Sequence, residues 1–492
     1  MRILLAAAFL AVLLPGQQSA KVPTFTEDIA PMVFASCTKC HRPGEAGPFS
    51  LRTYRDVSKR ARNLLSVIED HIMPPWHPAP GYGQFRNEQR LSDKQIAMFR
   101  SWVEAGTPEG PAASLPELPE FPVGWQLGEP DLIIKTSGAY PVPADGRDIY
   151  RNFSLPLDFA EDQWLTAMEV RPGDREVLHH VLLFLDADKA GRAKDGRDGK
   201  PGFRGRGAGR AQMVAGWAVG GQPEHLPQGL AIKLPKGCDL TLQSHLHPTG
   251  RNTEEQTTIG LYFAKQPPKR SIVSVQLPPF FGFLAGLDIP AGEDDFRLQD
   301  SFELPCDVDA VTIGGHAHLL CRSMRMYAVL PDQKQVPLVH IPDWDFDWQN
   351  RYTFAQSVRL PKGSVIHADI RYDNSKHNPD NPNVPPRRVR WGRETTDEMG
   401  SVTLLVTPAD EGDLKSLHRA IRSQRSNAAT TRVTNSVVNR FASYDKNVDG
   451  KLSKDEVPRQ LRRFFARLDK DGDGALSLAE AKGLGALTRR GR

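Results

Sequence analysis

The pentapeptide Cys37-Thr38-Lys39-Cys40-His41 constrains this chain more than any other feature. CxxCH is the attachment signature of c-type haem: two thiols bond the porphyrin and the following His binds the iron. The competing readings are a thioredoxin-like CxxC or half a zinc site. They call for a βαβ context or a second Cys/His cluster nearby, and the sequence offers neither. The motif implies a redox protein assembled outside the cytoplasm.

The first twenty residues agree. Arg2 is a positive n-region, Ile3 to Leu14 is apolar and uncharged, and Pro15 to Ala20 is turn-prone with small residues at its end. The apolar run is too short to span a bilayer. Residues 1–20 are therefore expected to be a cleaved signal peptide, although Gln18 is an imperfect residue before the cut. The mature chain is expected to be periplasmic or secreted, with no integral membrane segment. With 492 residues the chain is too long for one core and implies three or four domains. A net charge of +4 gives no reason to expect nucleic acid as a partner. Beyond the haem thiols, Cys238, Cys306 and Cys321 are an odd number, and the sequence leaves their pairing open.

Residues 21–112 read as the haem domain. His71, Met73 and His77 all offer a second axial ligand, and Met73 is preferred. It follows a helical stretch, and Pro74-Pro75 would hold its sulfur in an extended turn. Met98 is the alternative, but it sits in the periodic segment Leu91 to Ala105, where a core role is expected. That segment opens on Ser92-Asp93 and closes on Gly106, good caps at both ends. Helix, haem motif, ligand loop and helix resemble a compact class I cytochrome c, an all-α fold. Met/His ligation implies a relatively high potential.

Residues 113–410 alternate apolar and polar residues between Gly/Pro turns, as in Trp164 to Val170, Asp239 to His245 and Gly400 to Val406. The pattern predicts two antiparallel β-sandwiches. His316-Ala317-His318 follows a strand-like run, and an i, i+2 spacing puts both imidazoles on one face. His179-His180 is adjacent, so a regular strand would point the rings apart. Both reach one metal only at a bulge or strand end. Core histidines bonded to backbone are the bland alternative for each pair.

Four motifs now carry a family resemblance. Leu178-His179-His180-Val181-Leu182-Leu183-Phe184, Leu242-Gln243-Ser244-His245, Gly315-His316-Ala317-His318-Leu319 and Thr396-Asp397-Glu398-Met399 occur in the order seen in the copper type II, ascorbate-dependent monooxygenases. Those are the relatives of peptidylglycine alpha-hydroxylating monooxygenase and dopamine beta-monooxygenase, and the resemblance spans about residues 125 to 408. It implies two jelly-roll-like copper domains, residues 113–267 and 268–410, dividing near 266–269. The first would hold copper on His179, His180 and His245. The second would hold it on His316, His318 and Met399, a set whose soft sulfur favours Cu(I). The resemblance further implies that the Met-containing site activates O2 and takes hydrogen from a substrate C–H bond. The three-His site would store and pass the second electron across a solvent-filled gap. His247, two residues after His245, is a second candidate by His-x-His geometry.

The departures from the family bear on substrate. Where the peptide-hydroxylating enzyme has Arg, Asn and Tyr to hold its peptide, this chain has Gly314, Ser401 and Thr403. A peptide-amidating role is not expected, and the substrate stays open as a small molecule. Two loops also stand out. The Pro-rich run within Tyr372 to Arg390 reads either as a wall of the copper cleft or as a surface excursion. Asp186 to Arg210, Gly-rich and basic, reads as a flexible insert, with docking of an acidic redox partner protein as the lesser reading.

Residues 411–435 read as a linker helix and 436–492 as an α-helical EF-hand pair. The first loop offers Asp445, Asn447, Asp449, Lys451 (backbone carbonyl), Ser453 and Glu456. The second offers Asp469, Asp471, Asp473, Ala475 (backbone carbonyl), Ser477 and Glu480. Leu452 and Leu476 are placed to pair the loops, and two calcium ions are expected in a structural role. The fold class expected is thus multidomain: a small all-α cytochrome c domain, two tandem antiparallel β-sandwiches and a helical EF-hand pair. The function expected is copper-dependent hydroxylation of a small substrate with O2, aided by covalent haem c. A haem stores one electron while a turnover needs two, so ascorbate or another external donor is required. The alternative is a non-catalytic electron-transfer or copper-binding protein.

Overall fold

The computed structural model describes residues 21–477 and 480, apart from 46, 123, 206–212, 220, 445–450 and 458–461. The chain divides into two compact units. One takes Met1–Trp76 and Gln89–Glu120, and the other takes His77–Glu88 and Phe121–Arg492.

The first unit carries the helices Ala30–Ser36, Tyr54–Ser58, Ala61–Glu69 and Asp93–Glu104. The last begins as its sequence demands. Ser92 Oγ accepts from Gln95 N, and Gln95 Oε1 accepts in return from Ser92 N at 2.9 Å, a reciprocal cap. Phe25, Ile29, Phe34, Phe99 and Trp102 form the centre of its core.

The second unit is built from four principal sheets. Leu132–Lys135, Thr258–Phe263, Gln163–Arg171, Leu230–Leu234 and Arg270–Ser271 make the first, and Ile149–Pro156, Asp239–Leu246, Leu178–Asp186 and Met213–Ala218 the second. One cluster of Val, Leu and Ile side chains, drawn from both sheets, fills the space between them. The third sheet orders Val273–Leu277, Gly400–Pro408, Val308–Ala317 and Arg351–Leu360; the fourth orders Phe296–Glu303, Val365–Tyr372, Cys321–Val329 and Gln335–Ile341. The segment 77–88 is tied to this unit by backbone. Ala79 N donates to His340 O, and Phe85 bridges Phe354.

This architecture corrects the expected fold class. The chain is mostly β, with 34% strand against 16% helix. A small all-α cytochrome domain and an α-helical EF-hand pair are not what the helices build. The N-terminal helices are short, of five to twelve residues, and the connections between them carry Pro43, Pro48, Pro74 and Pro75, which disfavour helix there. In the tail, the described regular structure after Tyr444 is the strand pair Lys451–Ser453 and Ala475–Ser477, a 3-10 turn and the four-residue helix Phe465–Leu468. Asp- and Gly-rich loops hold that segment in turns. Nor are the two β halves separate: Ile272 and Leu405 join the core cluster of the first two sheets. Arg270–Ser271 still pairs with Leu230–Ala231, so the chain changes sheets at Ile272.

The Gly-rich loop after Asp186 is also not the free insert expected. The Arg151 guanidinium, fully buried, donates to Asp198 at 2.6 and 2.7 Å and to the carbonyls of Lys200, Pro201 and Gly202. A buried charge requires such partners, and the loop supplies them. The Pro-rich loop is ordered as well: Asn374 Nδ2 donates to three carbonyls, and Asn381 Nδ2 donates to Asn374 Oδ1. No helix among the described residues is long and apolar enough to cross a membrane. Residues 1–20 lie outside the described residues.

Candidate metal centre

The adjacent pair His179-His180 meets the condition that its spacing imposed. Leu178 pairs with Leu246 and His180 with His245, so the register slips by one and His179 bulges from the strand. A bulge re-aims one side chain, and both imidazoles then face the same point. His180 lies directly across from His245, and Tyr150 lies across from His245 on the other side. The Tyr150 ring stacks on His245 at 4.4 Å and 12°.

Three Nδ1 atoms converge here. His179 Nδ1 is 3.0 Å from His180 Nδ1, and His245 Nδ1 is 3.4 Å from the same atom. Nitrogens bound to one tetrahedral ion at about 2.0–2.1 Å lie roughly 3.3 Å apart, so the spacing fits a shared metal. Two of the three outer nitrogens are bonded to carboxylates. His179 Nε2 donates to Asp347 at 3.0 Å, and His245 Nε2 donates to Asp148 at 2.9 Å. With its proton on Nε2, each ring presents the Nδ1 lone pair inward. Asp148 also accepts from His247 Nδ1 at 2.7 Å and from the Thr395 hydroxyl. His247 is thereby placed beside the site, bonded to a ligand's partner.

The second set forms at a strand end. His316 lies on Val308–Ala317 opposite Ser401, and Ala317 pairs with Gly400, which brings His318 beside the turn that carries Met399. One carboxylate fixes both. Glu398 Oε1 accepts from His318 N at 2.6 Å and Met399 N at 2.8 Å, and Oε2 accepts from Leu320 N at 3.0 Å. Tyr372 donates to Met399 O at 3.0 Å. Here the Nδ1 atoms are occupied: His316 Nδ1 lies 2.6 Å from Gln349 Oε1, and His318 Nδ1 lies 3.1 Å from Asp397 O. With Nδ1 so engaged, Nε2 is the nitrogen of each ring that could hold a metal. Two imidazoles and a thioether suit a soft monovalent copper ion.

The two sets are neighbours. The rings of His180 and His316 lie 6.1 Å apart in edge contact, in place of the solvent-filled gap that the resemblance implied. Phe346 touches ligands of both: it stacks on His179 at 4.9 Å and lies 5.9 Å from His245 and 6.0 Å from His318. Phe281 stands edge-on to His316 at 5.0 Å. Burial pushes the His180 imidazole well below its ordinary value, and that of His316 to about 4 and His318 to about 3. His245 is lowered by burial too, against the pull of Asp148. All four rings are thus neutral near pH 7, the form that binds metal.

Sequence reasoning missed Asp148, Asp347, Gln349 and Phe346. The last three lie in the alternating acidic and aromatic run Asp343-Trp344-Asp345-Phe346-Asp347-Trp348-Gln349, an unusual pattern that was there to be read.

In the other unit, Cys37 closes the helix Ala30–Ser36, and His41 N donates to Cys37 O at 2.9 Å. His41 Nδ1 lies 3.1 Å from the Phe49 carbonyl, leaving Nε2 for iron. A Cβ at Gly47 would lie 2.7 Å from His41 Nδ1, so only glycine lets the chain pass the motif this closely. Cys37 and Cys40 are half-buried. Met73 is half-buried, with its N–H on Val67 O, while Met98 packs against the helical core. His77 belongs to the unit that carries the sheets. Cys238, Cys306 and Cys321 are buried and free.

In the tail, Asp445, Asn447 and Asp449 lie outside the described residues. Lys451, Ser453 and Glu456 are described, and Leu452 pairs with Leu476. Carboxylate oxygens of Asp469, Asp471 and Asp473 lie within 4.8 Å of one another. Glu480 folds over that loop, accepting from Lys470 N at 2.7 Å and Ser477 N at 2.9 Å, and Gly474 takes the left-handed conformation that the turn needs. Ala475 and Ser477 lie on the paired strand. The oxygen donors fit a hard cation such as calcium.

No family model and no curated protein matches this chain. Among solved structures, a recombinant N-glycanase F is 12% identical, covering 57% of this chain and 96% of its own, with a TM-score of 0.25. The major capsid protein P2 of bacteriophage PM2 is 10% identical, covering 56% and 96%, also with a TM-score of 0.25. Likenesses this slight carry no argument about fold or chemistry.

Proposed function

We propose that the chain is an exported copper-dependent monooxygenase that hydroxylates a C–H bond of a small molecule with O2. The observation supporting this most is the convergence of the Nδ1 atoms of His179, His180 and His245, with a second, unlike pair, His316 and His318, at a strand end beside the turn that carries Met399. Copper supplies one-electron redox chemistry and an open position for O2 at such sites. The protein's residues orient the imidazoles, hold those of His180, His245, His316 and His318 neutral by burial, and line the centre with Phe281 and Phe346. Haem c on Cys37, Cys40 and His41 relays electrons from an external donor such as ascorbate, with Met73 as the proposed second axial ligand. Calcium stiffens the Asp469–Glu480 loop.

A second reading is a non-catalytic electron-transfer or copper-binding protein. The 6.1 Å approach of His180 to His316 favours it, because it leaves little width between the sites for a substrate. Metal and haem analysis of periplasmically expressed protein, with O2 uptake on adding ascorbate, separates the two. Copper at both sites, one haem and O2 uptake lost in both His179→Ala and Met399→Ala support the monooxygenase. Tight copper binding with no O2 uptake supports the alternative.

A further inference from the structure

The two donor sets differ in what stands behind them. At the three-His set, two of three rings donate their outer N–H to carboxylates: His245 to Asp148 at 2.9 Å and His179 to Asp347 at 3.0 Å. A carboxylate behind an imidazole fixes its orientation and makes it a stronger donor. It also places negative charge on the far side of the ring from the nitrogen that would hold the ion. At the second set, the groups behind the rings are neutral, the Gln349 side-chain oxygen and the Asp397 backbone carbonyl. The nearby Glu398 spends its oxygens on backbone N–H groups, and the Asp397 carboxylate turns to Glu394 N at 3.2 Å.

We propose that Asp148 and Asp347 are positioning residues that favour the divalent ion at the three-His set and give it the lower reduction potential of the two sites. Two anionic partners oppose the +2 charge of Cu(II) better than the +1 charge of Cu(I), so the oxidised form gains more. The neutral groups directly behind the rings of the other set add no such charge, and its thioether favours Cu(I). Asp148 has the larger effect. Its side chain is 15% exposed and anchored by three donors, whereas that of Asp347 is 71% exposed and screened by water. The inference rests on the copper reading above, but it assigns roles that no motif carried.

The test is a potentiometric titration of the copper-loaded full chain, without O2 or substrate, following the Cu(II) paramagnetic signal. His245→Ala identifies which midpoint belongs to the three-His set. Wild type is expected to show two midpoints, with the three-His set lower. Asp148→Asn should raise that midpoint alone and weaken Cu(II) binding by roughly 10- to 100-fold, with Cu(I) binding weakened less. Asp347→Asn should do the same to a smaller extent, and it decides the matter if Asp148→Asn fails to retain copper. Copper bound in both variants with unmoved midpoints overturns the proposal and leaves the copper reading standing. A wild type that binds no copper overturns both.

Discussion

The three-His set and the His-His-Met set reach similar ends by different backbone devices. The first sits inside a sheet, where adjacent histidines face one point only because the strand bulges at His179. The second sits where a strand ends, with His316 on the strand and His318 just past its last residue, Ala317. Their supports differ as well: cross-strand stacking and carboxylates for the first, one buried carboxylate gripping three backbone N–H groups for the second. A β scaffold can therefore tune two neighbouring sites separately, because each draws its partners from different loops.

The largest effect that tests this separation is expected from His245→Ala. That ring is 1% exposed and carries both the Tyr150 stack and the Asp148 bond. Its loss should remove the copper of the three-His set, measured by elemental analysis, and leave the other. O2 uptake should fall by more than the roughly 100-fold that follows from losing a ligand's partner. If both coppers leave together, the sites are not independent.

Glu398→Ala comes next and should act on the opposite set. It strips the acceptor from three buried N–H groups, which is expected to cost on the order of 3 kcal/mol in denaturant unfolding. Copper bound by His316, His318 and Met399 should weaken, while the three-His set keeps its ion. An unfolding midpoint equal to wild type would break the claim that this carboxylate organises the second site.

A smaller effect tests the scaffold beneath the first set. Arg151, next to Tyr150, holds Asp198 by hydrogen bonds, and these keep its carboxyl well below the usual range. A depressed carboxyl stabilises the fold above its unfolded value, and that contribution is lost as pH falls below about 4. Asp198→Asn should lack this acid-dependent loss in thermal unfolding followed from pH 6 to 3, and be less stable than wild type at the upper end. An unchanged profile would show that the loop is not anchored through this pair. The smallest effect is expected for His247→Ala, whose exposed ring is hydrogen-bonded to Asp148 beside the site. Copper affinity there should change by less than about threefold. A larger loss would make His247 a ligand.

Much of the centre was legible because its histidines obey short-range geometry. The spacing of His316 and His318 suggested a shared face and that of His179 and His180 required a bulge, while the family resemblance supplied the reading of both pairs as ligands. The bulge itself was not legible, since it depends on how Leu178 and His180 register against Leu246 and His245. Asp148 and Asp347 were hidden for the same reason: they lie 97 and 168 residues from the rings they hold. The Gly-rich loop after Asp186 misled by composition, because its order comes from Arg151, far upstream, which needs its carbonyls. The fold class misled through motifs. CxxCH and acidic loops specify what a few residues bind, but the helices around them are set by prolines and by packing that no motif records.

The central claim is that two distinct copper sites lie side by side, and copper stoichiometry with X-ray absorption tests it most directly. Wild type, His245→Ala and His318→Ala would be compared as reduced, copper-loaded full chains. The account predicts two coppers in wild type and one in each variant, with a copper–sulfur distance seen in His245→Ala. A single copper in wild type, lost in both variants, would mean that the histidines share one ion and would contradict the account.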